Sequence, residues 1–105
     1  MVAQPIQNTI KNTVRSIIPD ARVLLFGSMA RGDNNTFSDY DVLVITPHTI
    51  PLEDKRSWRT KLNNALVDAL HAPVDVLLNS EVEVKKKIGL PGHVIRTAVR
   101  DGVEL

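Results

Sequence analysis

Apolar residues near the start of the chain recur on a helical period. Ile6, Ile10, Val14, Ile17 and Ile18 fall at steps of four, four, three and one, and so line one helix face. Pro5 suits a first helical turn, where a missing N–H costs nothing, and Pro19 ends the helix. Arg22–Phe26 follows as a short buried strand. Gly27-Ser28 then makes a tight turn that can open a short helix through Met29, Ala30 and Arg31, and Gly32–Asn35 reads as loop. Asp39–Ile45 is a second strand, apolar on both faces after an acidic start. Trp58, Leu62, Ala65, Leu66, Ala69 and Leu70 mark a longer helix, with Glu53 and Asp54 at the positive end of its dipole. Pro73 breaks that helix, and Val74–Leu78 is a third strand. Ser80 and Glu83 are spaced as a capping box for another helix, which Gly89–Gly92 terminates. A last helix runs from about His93 to Arg100 and stops at Gly102. The order is α-β-α-β-α-β-α-α, without repeats or linkers.

Composition narrows what such a chain can do. A length of 105 residues predicts a single domain over 1–105, with 43% hydrophobic and 24% charged residues, ordinary for a globular fold. Thirteen basic against 12 acidic residues leave a net charge of +1, too little surplus for a duplex-DNA surface. With no cysteine there is no disulfide framework, thiolate zinc site or cysteine nucleophile. The longest apolar runs, Val23–Phe26 and Val42–Ile45, are far short of a membrane span, and no export signal is visible. A cytoplasmic protein is the expectation.

Aspartates break the hydrophobic pattern where two strands begin. Asp39 and Asp41 are two residues apart in an extended segment, so both leave the same strand face, with Cβ atoms roughly 6–7 Å apart. Asp75 sits between Val74 and Val76 at the start of the third strand. Aspartate has low β-propensity and a large desolvation cost, so such placements point to function. If the three carboxylates meet beside Gly27, the first two strands must be antiparallel and the second and third parallel, with the long helix as crossover. The expected fold is therefore α/β (α+β) around a short mixed sheet of three strands or slightly more, with helices mainly on one face. Carboxylates this close repel unless cations neutralise them, and an all-oxygen donor set suits Mg2+, or Mn2+, better than zinc. Two such ions are a standard device for in-line phosphoryl or nucleotidyl displacement. Gly27 would let backbone approach a phosphate, and Ser28 adds a hydroxyl and an N–H at a helix start.

Other motifs carry less. Asp33-Asn34-Asn35 resembles the opening of a calcium loop, but Ser38 and Val44 occupy positions that need glycine and glutamate. No Gly-Lys-Ser/Thr occurs, which excludes a Walker P-loop. His48, His71 and His93 are too scattered to suggest a ligand set. Lys85-Lys86-Lys87 reads as a solvated helix face, with contact to RNA or an acidic partner the minor alternative. Trp58 shares a face with Leu62 and Leu66, which favours packing over base stacking.

Gly27-Ser28, ten intervening residues and Asp39-Tyr40-Asp41 resemble the signature of the DNA polymerase β-like nucleotidyltransferase superfamily. Phe26–Gly32 with Ser38–Val44 is similar to its minimal nucleotidyltransferase group, and Asp75 falls at that family's third carboxylate. Val94–Leu105 is similar to the family's C-terminal portion. The resemblance implies a Mg-dependent enzyme with two ions, in which Asp39 and Asp41 hold both and Asp75 completes one shell and helps deprotonate the acceptor. It implies that Gly27 and Ser28 hold the β/γ-phosphates of ATP and that Arg31 adds a phosphate contact. In HEPN–MNT toxin–antitoxin pairs, the nucleotidyltransferase is the antitoxin and transfers AMP from ATP to a tyrosine of the HEPN ribonuclease. A HEPN toxin is thus the implied partner. Transfer to a small hydroxylated molecule, or a non-catalytic toxin-binding module, are the alternatives.

Overall fold

The computed structural model describes residues 3–27 and 39–105. Helix α1 (Gln4–Ile17) carries Pro5 in its first turn and buries Ile10 and Val14 completely. Strand β1 (Arg22–Phe26) is followed by β2 (Tyr40–Thr46), helix α2 (Leu52–Leu70) and strand β3 (Val74–Ser80). Two short helices, α3 (Glu81–Lys87) and α4 (Val94–Asp101), lead to a two-residue strand, β4 (Val103–Glu104). The expected helix through Met29–Arg31 lies outside the described residues.

The sheet is mixed, in the order β3-β2-β1-β4. β1 runs antiparallel to β2, pairing Phe26 with Asp41, and β2 runs parallel to β3, pairing Asp41 with Asp75. Both orientations are those the carboxylate placement required. Alternation divides the strand residues between two faces. Val23, Leu25, Val42, Val44, Val76 and Leu78 pack against α1 and α2, where Leu62 and Leu66 are fully buried. Leu24, Phe26, Leu43 and Ile45 face Val84 of α3 and Ile95 and Ala98 of α4. The long helices occupy one face, as expected, and the short pair covers part of the other.

Two elements exceed the sequence reading. β4 pairs antiparallel with β1, Leu24 opposite Glu104, and the Leu105 N–H donates to the Val23 carbonyl at 2.8 Å. Arg22 anchors this edge, reaching Glu104 at 2.7 Å and Glu81 at 2.9 Å. Those hydrogen bonds raise its already high pKa. β3 also continues two residues beyond the expected end at Leu78. Asn79 and Ser80 are buried polar residues with partners: Asn79 accepts from Lys87, and Ser80 Oγ accepts from Thr49 Oγ1 at 3.0 Å.

Ser80 also caps α3. Its Oγ accepts from the Glu83 N–H at 3.2 Å, while the Ser80 N–H donates to Glu83 Oε1 at 2.9 Å. α2 ends at His71 in the left-handed region (φ 52°), and the His93 Nδ1 caps α4 by accepting from the Ile95 N–H. Trp58 packs partly against the larger core, with Lys61 Nζ 5.5 Å from its ring centroid. No helix among the described residues is long and apolar enough to cross a membrane.

Candidate functional site

The site is built where β1 ends and β2 and β3 begin. An antiparallel partner brings the end of one strand beside the start of the other, so Gly27 follows Phe26 directly against Asp41. The parallel β2–β3 pair then sets Asp75 next to Asp41, with backbones about 4.8 Å apart. Asp41 and Asp75 share parity with Leu43 and Leu77, which places both on the sheet face that α3 and α4 cover farther along. Asp39, expected to open β2, precedes the paired strand, which begins at Tyr40, and it is exposed. Register thus brings Asp41 and Asp75 together, while Asp39 stands just outside the paired strand.

Gly27 has φ +78°, a left-handed backbone that favours glycine. A Cβ built there would stand 2.1 Å from Asp41 Oδ2. The glycine therefore serves both the left-handed backbone and the space for the carboxylate. Asp41 is half-buried, whereas Asp39 and Asp75 are exposed, so the acidic group opens to solvent on one side. Ser28 and Arg31, expected to contact phosphate, lie outside the described residues.

Beside Asp75 is a cleft of about 340 Å³ whose lining includes Arg59, Thr60 and Asn63 of α2. None of these was singled out in the sequence. Arg59 lies outside the motif, and only the packing of α2 beside β3 brings it near an aspartate 16 residues later.

The donor set suits a hard divalent cation. Among the described residues, no three His, Asp or Glu side chains form a ready-made metal cage. Mg2+ does not need one, because it is commonly held by one or two carboxylates together with substrate phosphate oxygens and water. Adjacent oxygen donors at Asp41 and Asp75, with space kept beside them at Gly27, fit that mode.

The family model for the nucleotidyltransferase domain matches residues 8–103. Among solved structures, a toxin–antitoxin with AMP-PNP is 24% identical with a TM-score of 0.69, covering 93% of this chain and 70% of that one. A protein described as a minimal nucleotidyltransferase is 23% identical with a TM-score of 0.66, covering 100% and 97%. A tri-AMPylated Shewanella oneidensis HEPN toxin in complex with an MNT antitoxin gives 23% and 0.61, covering 96% and 69%. At these identities the likeness shows a shared fold. A search of the curated proteins finds no match. With Gly27 left-handed beside Asp41, the mixed sheet and a family model spanning nearly the whole sequence, the chain belongs to the nucleotidyltransferase-domain family.

Proposed function

We propose that this nucleotidyltransferase transfers AMP from ATP to a hydroxyl on a partner protein, a HEPN-type toxin, and acts as its antitoxin. The observation that carries the chemistry is the register: Asp41 lies between Gly27 and Asp75 on neighbouring strands. The partner is supported by the likeness to toxin–antitoxin structures, one with AMP-PNP and one with an AMPylated toxin.

Asp39 and Asp41 would hold two Mg2+ ions, with Asp75 completing one shell. Bound there, the ions would offset phosphate charge and lower the pKa of the attacking hydroxyl. Gly27 and Ser28 orient the β/γ-phosphates by backbone approach, and Arg31 adds a charge-assisted contact. Asp75 accepts the proton of the acceptor hydroxyl. The acceptor oxygen bonds to the α-phosphorus, the bridging P–O bond between the α- and β-phosphates breaks, and pyrophosphate leaves. ATP is the expected donor, and tyrosine the expected acceptor.

Incubation with α-labelled ATP, Mg2+ and a HEPN-type toxin should label that toxin. Asp39→Asn with Asp41→Asn should abolish labelling while the circular dichroism spectrum is retained. If the doubly substituted chain still labels the toxin, the carboxylate assignment fails. If it protects fully against the toxin without labelling, neutralisation rests on binding alone.

A further inference from the structure

Among the described residues β3 is an edge strand of the sheet. β2 flanks it on one side, and no other described strand pairs with it. The Pro73 carbonyl accepts from the Tyr40 N–H at 3.1 Å. Backbone groups alternate along an extended strand, so Asp75, Leu77 and Asn79 direct theirs to β2, while Val76 and Leu78 direct theirs outward. Ser80 is next in that outward series, and its N–H is taken by Glu83. No hydrogen bond from another described element reaches the backbone of Val76 or Leu78.

A cavity of about 360 Å³ follows this edge. Leu77 and Leu78 belong to opposite sheet faces yet both line it, so the strand edge is its floor. Arg56 and Arg59 of α2 form one wall, and Lys87 with Val94 stands opposite. The cleft at Asp75 shares Arg59 and Leu77 with this cavity, which makes one trough ending at the acidic group.

The trough is positively charged. Lys55 is paired with Glu83 at 2.9 Å and Lys87 donates to Asn79, whereas Arg56 and Arg59 make no ion pair among the described residues. These arginines are one helical turn apart, roughly 5 Å along the axis. Alternate side chains on a strand are spaced by roughly 6.6 Å, close enough for two acidic residues to meet both. Leu52 and Val94, both exposed, offer apolar contact nearby.

We propose that this trough takes an extended acidic segment of a partner polypeptide as an added strand on β3, with a hydroxyl residue at the end nearest Asp75. Strand addition draws affinity from main-chain hydrogen bonds and specificity from alternate side chains. An RNA strand would answer the charge but would leave the edge N–H and C=O groups of Val76 and Leu78 without the peptide ladder. Docking itself is independent of the nucleotidyltransferase reading; only delivery of the hydroxyl to Asp75 rests on it.

The probe is a synthetic seven-residue peptide with glutamates at alternate positions, valines between them and a tyrosine at one end. Fluorescence anisotropy with the full chain should show saturable binding, weakened about tenfold or more by Arg56→Glu with Arg59→Glu. These side chains are exposed, and circular dichroism of the variant checks its fold. N-methylation of the peptide amides that face β3 should abolish binding, whereas methylation of the alternate amides should not. Binding should also slow hydrogen exchange at Val76 and Leu78. Insensitivity to the methylation register, unchanged exchange at both amides, or tighter binding of a seven-nucleotide RNA would each overturn the proposal.

Asp39→Asn separates the two readings. Peptide bound but never adenylylated by the unsubstituted chain would sustain docking and count against the proposed chemistry. Adenylylation unaffected by charge reversal at Arg56 and Arg59 would do the opposite. Asp39→Asn should bind the peptide as tightly as the unsubstituted chain.

Discussion

Gly27→Ala tests the site at its tightest point. Two separate effects are built into that position. The left-handed backbone costs an alanine roughly 1–2 kcal/mol, partly offset by about 0.4–1 kcal/mol from a less flexible unfolded chain. The second effect is steric, because the new Cβ would fall 2.1 Å from Asp41 Oδ2, where ordinary contact begins at 3.4 Å. The carboxylate must retreat by more than 1 Å, a displacement that can cost about 100-fold in rate when a reacting group is misplaced. Gly92→Ala provides the matched control. Gly92 has φ +76°, almost the same backbone, but an added Cβ meets nothing within 4 Å. Both variants should lose about 1 kcal/mol from the backbone term, a fall of roughly 4–8 °C in Tm for a domain of this size. Only Gly27→Ala should lose nucleotidyl transfer, read by label incorporation at a temperature where both remain folded. Full activity in Gly27→Ala would refute the reasoning, since the working Asp41 carboxylate could not then occupy the position described. Equal loss in Gly92→Ala would assign the effect to stability rather than to the site.

Other outcomes follow from the packing and caps. Leu66→Ala removes a fully buried side chain between α2 and the sheet and should cost about 2–5 kcal/mol in urea denaturation. Ser80→Ala removes the acceptor for the Glu83 N–H and the Thr49 hydroxyl and should cost about 0.5–2 kcal/mol, with the fastest added hydrogen exchange at the start of α3. Burial alone would raise the Glu83 carboxyl pKa, but Lys55 and the Ser80 N–H outweigh it and hold the pKa below its ordinary 4.5. A depressed folded-state pKa stabilises above the unfolded value and loses that contribution as pH falls through the folded value. Glu83→Gln should therefore flatten the decline in stability below about pH 4.5, measured by denaturation across pH 3–7.

Much of the central architecture was legible because chemistry and topology constrain each other. Asp41 and Asp75 are costly in strands, and requiring them to meet beside Gly27 dictated one antiparallel and one parallel pairing. The Ser80–Glu83 box was readable because its two hydrogen bonds follow from a fixed spacing. β4 was not readable. Two residues cannot show alternation, and the Arg22–Glu104 contact that secures them joins positions 82 apart. The end of β3 was hidden differently, because Asn79 and Ser80 resemble turn residues until Lys87, Thr49 and Glu83 supply their partners. Arg56 and Arg59 gave no signal, since paired basic residues on an amphipathic helix normally face water. Their significance arises only from the edge strand beneath them.

The order of assembly carries a consequence for biosynthesis. Phe26 and Asp41 are 15 positions apart, so that half of the acidic corner can close early. Asp75 comes 34 positions after Asp41 and reaches it only once the whole crossover helix has been synthesised and docked. Contacts this distant form late, after their loop entropy has been overcome. A nascent chain still emerging from the ribosome would thus lack the proposed Asp41–Asp75 pair until its third strand is in place.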